Sequence, residues 1–366
     1  MTDTPITPQP LGTGDFAPWF KAPVLGGRPD WAFASAAGGP VLLFFMGSAG
    51  HPAVAAALQL LLRDASPYGD DGVRFFGVTC DPADAAAGRI MAGRPGIRYF
   101  LDYDRAVSGL YGAGQPGQEH YRPHLLLLDR TLQVVQRFAL GEVGDALAAI
   151  GTDATSVGGR QDWAPVLTVP DLLEPALCRA LIDVYDRDGG TESGFMRDVD
   201  GRTVLVTDDT FKRRTDAHIT DPALRDALAS RINRRLVPAM QRTFQFTPTR
   251  IERYIVAAYD AEPGGFFHAH RDNTTKGTAH RRFAVTINLN DDYEGGDLRF
   301  PEFGPRTYRA PRGGAVVFSC SLLHEATPMI RGRRYATLPF LYDDAAAAMR
   351  ARNNAFLGEG VNAYAG

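Results

Sequence analysis

Two rhythms of apolar and polar residues divide the chain. Up to residue 150, short continuous apolar runs alternate with helix-like stretches. VLLFFM (41–46) and VRFFGVT (73–79) read as strands covered on both faces, and AVAAALQLLLRD (53–64), built from strong helix formers, reads as the helix crossing between them. A second helix is expected at 82–92, a strand just before Asp102, and a hairpin from HLLLLD (124–129) and LQVVQRF (132–138) around an Asp-Arg-Thr turn. This predicts an α/β layer over residues 1–150. The segment GTDATSVGGRQDW is polar, small and aperiodic, and predicts a linker over 151–164.

The second rhythm opens with a helix behind Glu174-Pro175, where Leu177, Ala180, Leu181 and Val184 recur at helical spacing and Cys178 falls on the buried face. A longer amphipathic segment, 222–243, carries Leu224, Leu228, Ile232 and Leu236 every four residues and should pack across a sheet. From Arg253 onward RYIVAAY, RFAVTINLN, GGDLRF, GGAVVFS and RRYATLPFLY read as strands separated by glycine and acidic turns, so an antiparallel sandwich or barrel is expected over 165–345, with 346–366 a tail.

Length fits this division, since 366 residues exceed one typical domain. With 39 glycines and 25 prolines the chain is turn-rich, which disfavours a helical bundle. A net charge of −3 supplies no global field toward nucleic acid or anionic lipid, so a small-molecule or local protein partner is expected. Three scattered cysteines form no disulfide framework, and the N-terminus has no apolar signal-like run; both suit a cytoplasmic protein.

Three side chains carry the candidate chemistry: His270 and Asp272, one residue apart, and His324 just after AVVFSCSLL. The i, i+2 spacing in an extended segment turns both groups to one side. Two neutral imidazoles and a carboxylate can occupy one face of an octahedron and leave the rest open, as in non-haem Fe(II) oxygenases. HxD alone is also the wording of a solvated turn. Arg334, ten residues past His324, adds a guanidinium able to hold the remote carboxylate of a 2-oxo diacid. Arg331 and Arg333 read as surface charges, His268 and His280 have no partner at ligand spacing, Cys320 reads as a packed strand residue, and FKRR (211–214) reads as a solvated loop or, alternatively, a contact for an anionic substrate.

YDAEPGGFFHAHRDN, FAVTINLNDDYEGGDLRFPEFG and LLHEATPMIRGRRYATLPFLY resemble the prolyl 4-hydroxylase type of Fe(II)/2-oxoglutarate oxygenase. The resemblance implies a double-stranded β-helix (jelly-roll) with supporting helices. It makes His270, Asp272 and His324 the iron ligands, Arg334 the grip on 2-oxoglutarate and Tyr259 a further contact to it. The implied cofactors are Fe(II), 2-oxoglutarate and dioxygen, with ascorbate as an optional reductant. The implied reaction is hydroxylation of an unactivated C–H in a peptide, protein or small metabolite, with succinate and CO2 released. With Asp272 present no ligand position is vacant for a halide, which disfavours halogenation.

GDFAPWF, LLFFM, FFGVTCDPADAA, FLDYDRAVSGLYG and RPHLLLLDRTLQVV resemble a peroxiredoxin, and imply a thioredoxin-like α/β domain. Peroxidase chemistry needs a thiolate at the start of the helix after the first core strand, and that stretch, GSAGHPAVAAA, has no cysteine. Cys80 reads as a buried small hydrophobe and His51 as a local hydrogen-bonding or capping residue. The whole is expected to be a two-domain α+β enzyme whose first domain serves packing, partner contact or homodimerisation. A thiol peroxidase and an inert binding scaffold are the competing readings.

Overall fold

The computed structural model describes residues 10–69, 72–153 and 163–364. The chain divides into two compact units, residues 1–162 with 301–304, and residues 163–300 with 305–366.

In the first unit β1 (Val41–Gly47), β2 (Arg74–Thr79), β3 (Ile97–Leu101), β4 (His124–Leu128) and β5 (Val134–Ala139) form one mixed sheet in the order β3-β2-β1-β4-β5. β1, β2 and β3 run parallel, whereas β4 is antiparallel to both β1 and β5. Parallel neighbours need a crossover, and α1 (Pro52–Leu62) supplies it between β1 and β2. Alternate residues serve two faces. On one, Leu42, Phe44 and Phe75 pack with Val54, Ala57, Leu58 and Leu61 of α1 and with Val143, Ala146 and Ile150 of α2 (Val143–Asp153). On the other, Trp31, Phe33, Phe76 and Phe100 form an aromatic cluster with ring centroids 5.3 to 6.1 Å apart. Burial on both sides is why β1 reads as an unbroken apolar run. The helix expected over 82–92 is one turn, Ala83–Ala86, ended by Gly88 at positive φ. α2 extends three residues into the segment expected as a linker; 154–162 lie outside the described residues.

The second unit is a jelly roll of two antiparallel sheets with helices on one side. Its principal strands are β6 (Thr215–His218), β7 (Ile255–Asp260), β8 (Phe266–His270), β9 (Phe283–Asn288), β10 (Ala315–Ser319), β11 (His324–Ala326), β12 (Arg333–Thr337) and β13 (Phe340–Tyr342). In the larger sheet β9 pairs with β10 on one edge and successively with β12 and β13 on the other, and β7 and β6 extend it beyond β12. The smaller sheet runs Lys212–Arg213, β8, β11, Leu298–Arg299, Thr307–Tyr308. Helices α3 (Pro175–Asp188), α4 (Pro222–Arg231) and α5 (Val237–Phe244) bury Leu177, Cys178, Leu181, Leu228 and Met240 in one core with Val256, Val285 and Val317 of the larger sheet.

The amphipathic stretch expected as one helix is α4 and α5 joined by a π-helical turn, Ile232–Leu236. Apolar residues exactly four apart drift by about 40° per repeat in a regular α-helix. The wider turn takes up one extra residue and accommodates Pro238, so Leu228, Ile232, Leu236 and Met240 all stay fully buried.

The segment expected as a tail, 346–366, opens inside a helix, α6 (Asp344–Asn353), capped by the Asp343 carboxylate on Ala346 N–H. Asn353 Nδ2 donates to the Lys276 carbonyl (2.7 Å), and Gly358 N–H donates to the Thr203 carbonyl (2.8 Å).

Candidate active site

Antiparallel pairing of β8 with β11 sets His270 directly opposite His324, with ring centroids 4.3 Å apart. Asp272 lies just past the end of β8, its N–H donating to the Cys320 carbonyl (3.0 Å). Its two carboxylate oxygens stand 3.6 Å from His270 Nε2 and 3.3 Å from His324 Nε2. Among the described residues this is the one His/Cys/Asp/Glu group of three whose donor atoms all converge, within 4.8 Å.

Each imidazole is oriented by its own strand. His270 Nδ1 lies 2.8 Å from the His268 carbonyl, and His324 Nδ1 lies 3.0 Å from the Leu322 carbonyl. A carbonyl only accepts, so Nδ1 carries the proton and each Nε2 presents its lone pair to the centre. Burial, then the neighbouring His324, pushes His270 down to about 4, keeping it neutral at physiological pH. Two neutral nitrogens and one anionic oxygen are the donor set a divalent iron takes, so the residues present fit the ion that the sequence implies.

Arg334, only 4% exposed, projects from β12. Its Nε and Nη2 donate to Asn288 Oδ1 (3.2 and 3.0 Å) and its Nη1 to the Gly296 carbonyl (2.7 Å). Every one of these acceptors is neutral, which leaves a buried guanidinium short of an anion. Tyr259 pairs with Arg334 across β7 and β12, its ring centroid 5.5 Å from the guanidinium. Tyr259 packs in one cluster with Phe267, Tyr293 and Met329, and Phe267 stacks on His270 with centroids 3.6 Å apart. The arginine and the triad are thus joined by one aromatic patch between the two sheets.

Several residues outside the expected set support the site. Asn288 and Gly296 hold Arg334. Glu252 receives His280 Nε2 (2.6 Å) and Arg281 Nη2 (2.7 Å), and Arg281 closes against the Asp272 carbonyl (3.5 Å). His280, without a partner in the linear text, is therefore a buried structural histidine. Cys320 is fully buried, and burial drives its thiol well up, as expected of a packed residue. FKRR corrects the expectation of a solvated loop: Lys212 is 3% and Arg214 6% exposed, and Lys212 Nζ donates to Ser193 Oγ (2.7 Å) and the Gly194 carbonyl (2.6 Å).

Among its described residues the first unit has no comparable centre. Burial raises the Cys80 thiol, which lies 3.4 Å from Ser108 Oγ. At the entry to α1 the N–H groups of Ala49, Gly50 and His51 are spent on Asp84, Ser48 Oγ and the Ser48 carbonyl. His51 is the N-cap residue, but its side chain makes no capping bond.

Residues 254–342, which contain His270, Asp272, His324, Arg334 and Tyr259, match the 2OG-Fe(II) oxygenase superfamily, and residues 13–137 match the AhpC/TSA family. A PKHD-type hydroxylase of Polaromonas sp. (strain JS666 / ATCC BAA-500) is 31% identical over 185 residues, which are 47% of this chain and 75% of that protein. The chain belongs to the PKHD-type hydroxylases of the 2OG-Fe(II) oxygenase superfamily. A second such hydroxylase, from Thioalkalivibrio sulfidiphilus (strain HL-EbGR7), is 28% identical over 182 residues, 46% of this chain and 74% of that one. Among solved structures, a Pseudomonas putida prolyl-4-hydroxylase is similar at 18% identity over 49% of this chain and 93% of its own, with a TM-score of 0.37. Peroxidoxin BcpB from Mycobacterium tuberculosis is similar at 19% identity over 39% of this chain and 98% of its own, with a TM-score of 0.32. This PKHD-type protein is accordingly a 2-oxoglutarate-dependent hydroxylase carrying a thioredoxin-like AhpC/TSA unit. Among its described residues no helix is long and apolar enough to cross a membrane.

Proposed function

We propose that His270, Asp272 and His324 hold one ferrous ion, that Arg334 grips the distal carboxylate of 2-oxoglutarate, and that the enzyme hydroxylates an unactivated C–H of a peptide or protein residue or of a small metabolite. The observation that carries this reading is the cross-strand histidine pair closed by Asp272, with both Nδ1 protons already committed to carbonyls. Bound there, iron with 2-oxoglutarate and dioxygen supplies the oxidation, one oxygen atom entering the substrate as hydroxyl and the other leaving in succinate, beside CO2. The chain's own part is positional. The two Nδ1–H···O bonds fix the ring planes, Arg334 meets a carboxylate with the N–H groups it has left, and Phe267, Tyr293 and Met329 keep water from the space between the sheets. Tyr259 offers its hydroxyl to the same carboxylate.

The thioredoxin-like unit, lacking an activated thiol, serves packing, partner contact or homodimerisation. Three free cysteines suit a reducing cytoplasm, where ascorbate or a similar reductant would keep the iron ferrous. Anaerobic addition of Fe(II) and then 2-oxoglutarate to the metal-free protein should give the weak visible charge-transfer band of the chelate. The band should vanish in His270→Ala and Asp272→Ala; its persistence in both overturns the ligand assignment.

A further inference from the structure

The segment Lys212 to Asp216 turns the corner between the two sheets: Lys212–Arg213 pairs with β8 in the smaller sheet, and β6 begins at Thr215 in the larger. The register makes this corner part of the site. Thr215 opposes Ala258, so Arg214, one residue earlier, stands across from Tyr259, and Tyr259 in turn opposes Arg334. Arg214, Tyr259 and Arg334 form a row across three neighbouring strands, at 6%, 3% and 4% exposure. The two guanidinium carbons lie 5.8 and 5.5 Å from the Tyr259 ring centroid.

The two arginines differ in their charge accounts. Arg214 Nη2 donates to Asp216 Oδ2 (2.7 Å) and to Ser193 Oγ (2.8 Å), so its charge is met inside the protein. Arg334 has neutral acceptors alone and is the cation still lacking an anion. Arg214 is therefore unsuited to be a second grip on the co-substrate. It does keep a spare buried donor, Nε, and its guanidinium carbon stands 5.8 Å from the centroid of the Tyr259 ring. Ser193 also receives Lys212 Nζ, which locks the corner from the smaller sheet.

We propose that Arg214 is a positioning residue for 2-oxoglutarate: held by Asp216 and Ser193, it orients the Tyr259 phenol so that its hydroxyl points at the carboxylate held by Arg334. This rests on the roles given above to Arg334 and Tyr259.

The test is a double-mutant cycle read by calorimetric titration of 2-oxoglutarate into the zinc-loaded full-length protein, which needs no turnover. Arg214→Met and Tyr259→Phe should each weaken 2-oxoglutarate binding about tenfold, the effect of losing one hydrogen bond to a charged group. The double variant should bind no more weakly than either single one, and zinc affinity should stay at the wild-type value throughout. Should Arg214→Met fail to fold, Arg214→Lys takes its place in the cycle with the same expectation of non-additivity. Additive losses, an Arg214 variant that binds like wild type, or zinc affinity falling in step would overturn the proposal. If the zinc-loaded wild type itself binds no 2-oxoglutarate, the underlying reading fails, and this one with it.

Discussion

Arg334 spends three of its five N–H groups on Asn288 and Gly296, and that fixes the guanidinium plane before any ligand arrives. An ammonium in its place has three donors and no plane, so it can satisfy the fixed acceptors or an incoming carboxylate but not both with the same geometry. Arg334→Lys should raise the KM for 2-oxoglutarate by about 10- to 100-fold with a smaller change in kcat, because the lost contact is made equally before and during reaction. Steady-state succinate formation at saturating iron measures it, and an unchanged KM would remove Arg334 from the pocket. The convergence of His270, Asp272 and His324 was foreshadowed in the linear text by the i, i+2 spacing of the first two and by the resemblance that joined them to His324 and Arg334. Arg214 was not. A run of lysine and arginines behind two aspartates reads as a solvated loop, and only its position at a corner between sheets makes it interior.

At the scale of elements, the four-residue spacing through the long helix showed that one face is buried, but left open how the helix keeps that face turned inward. The answer is the π-helical turn, a consequence of Pro238 and the drift of a four-residue repeat, and it places Leu236 at full burial inside the turn. Leu236→Ala removes three carbons where neighbouring turns cannot close the gap, and should cost about 2–5 kcal/mol. Amide exchange of β9 and β10, which share this core, should speed up accordingly, while exchange in β1 of the other unit stays unchanged. An effect below about 1 kcal/mol would mean that the turn is loosely packed. The short edge strands escaped the sequence pattern for a related reason: two-residue elements such as Thr307–Tyr308 are created by pairing, not by a periodicity of their own.

At the scale of the whole molecule, the two units answer acid through different groups, and one histidine isolates the first. His124, on β4, is 3% exposed and stacks on Phe45 with centroids 5.0 Å apart. Its Nδ1 lies 3.0 Å from the Arg122 carbonyl, and its Nε2 is buried with no hydrogen-bond partner. Burial lowers the imidazole to about 4. An unfolded histidine takes its proton near pH 6.5, so between pH 6.5 and 4 the unfolded chain binds a proton that the folded unit refuses. The contribution to stability is whole above pH 6.5 and is lost as pH falls toward 4, by a total on the order of 3 kcal/mol. His124→Phe keeps the ring stack and removes the titration, so it should flatten this acid limb for the first unit. Metal-free protein is the right sample, followed by amide exchange corrected for its intrinsic pH dependence, with β1 and β4 reporting the first unit and β9 the second. The second unit should keep its own acid sensitivity in the variant, because the buried His270 and His280, both lowered by burial, are untouched. A β1 limb that stays as steep in His124→Phe as in the wild type would show that another group governs the acid response of this unit.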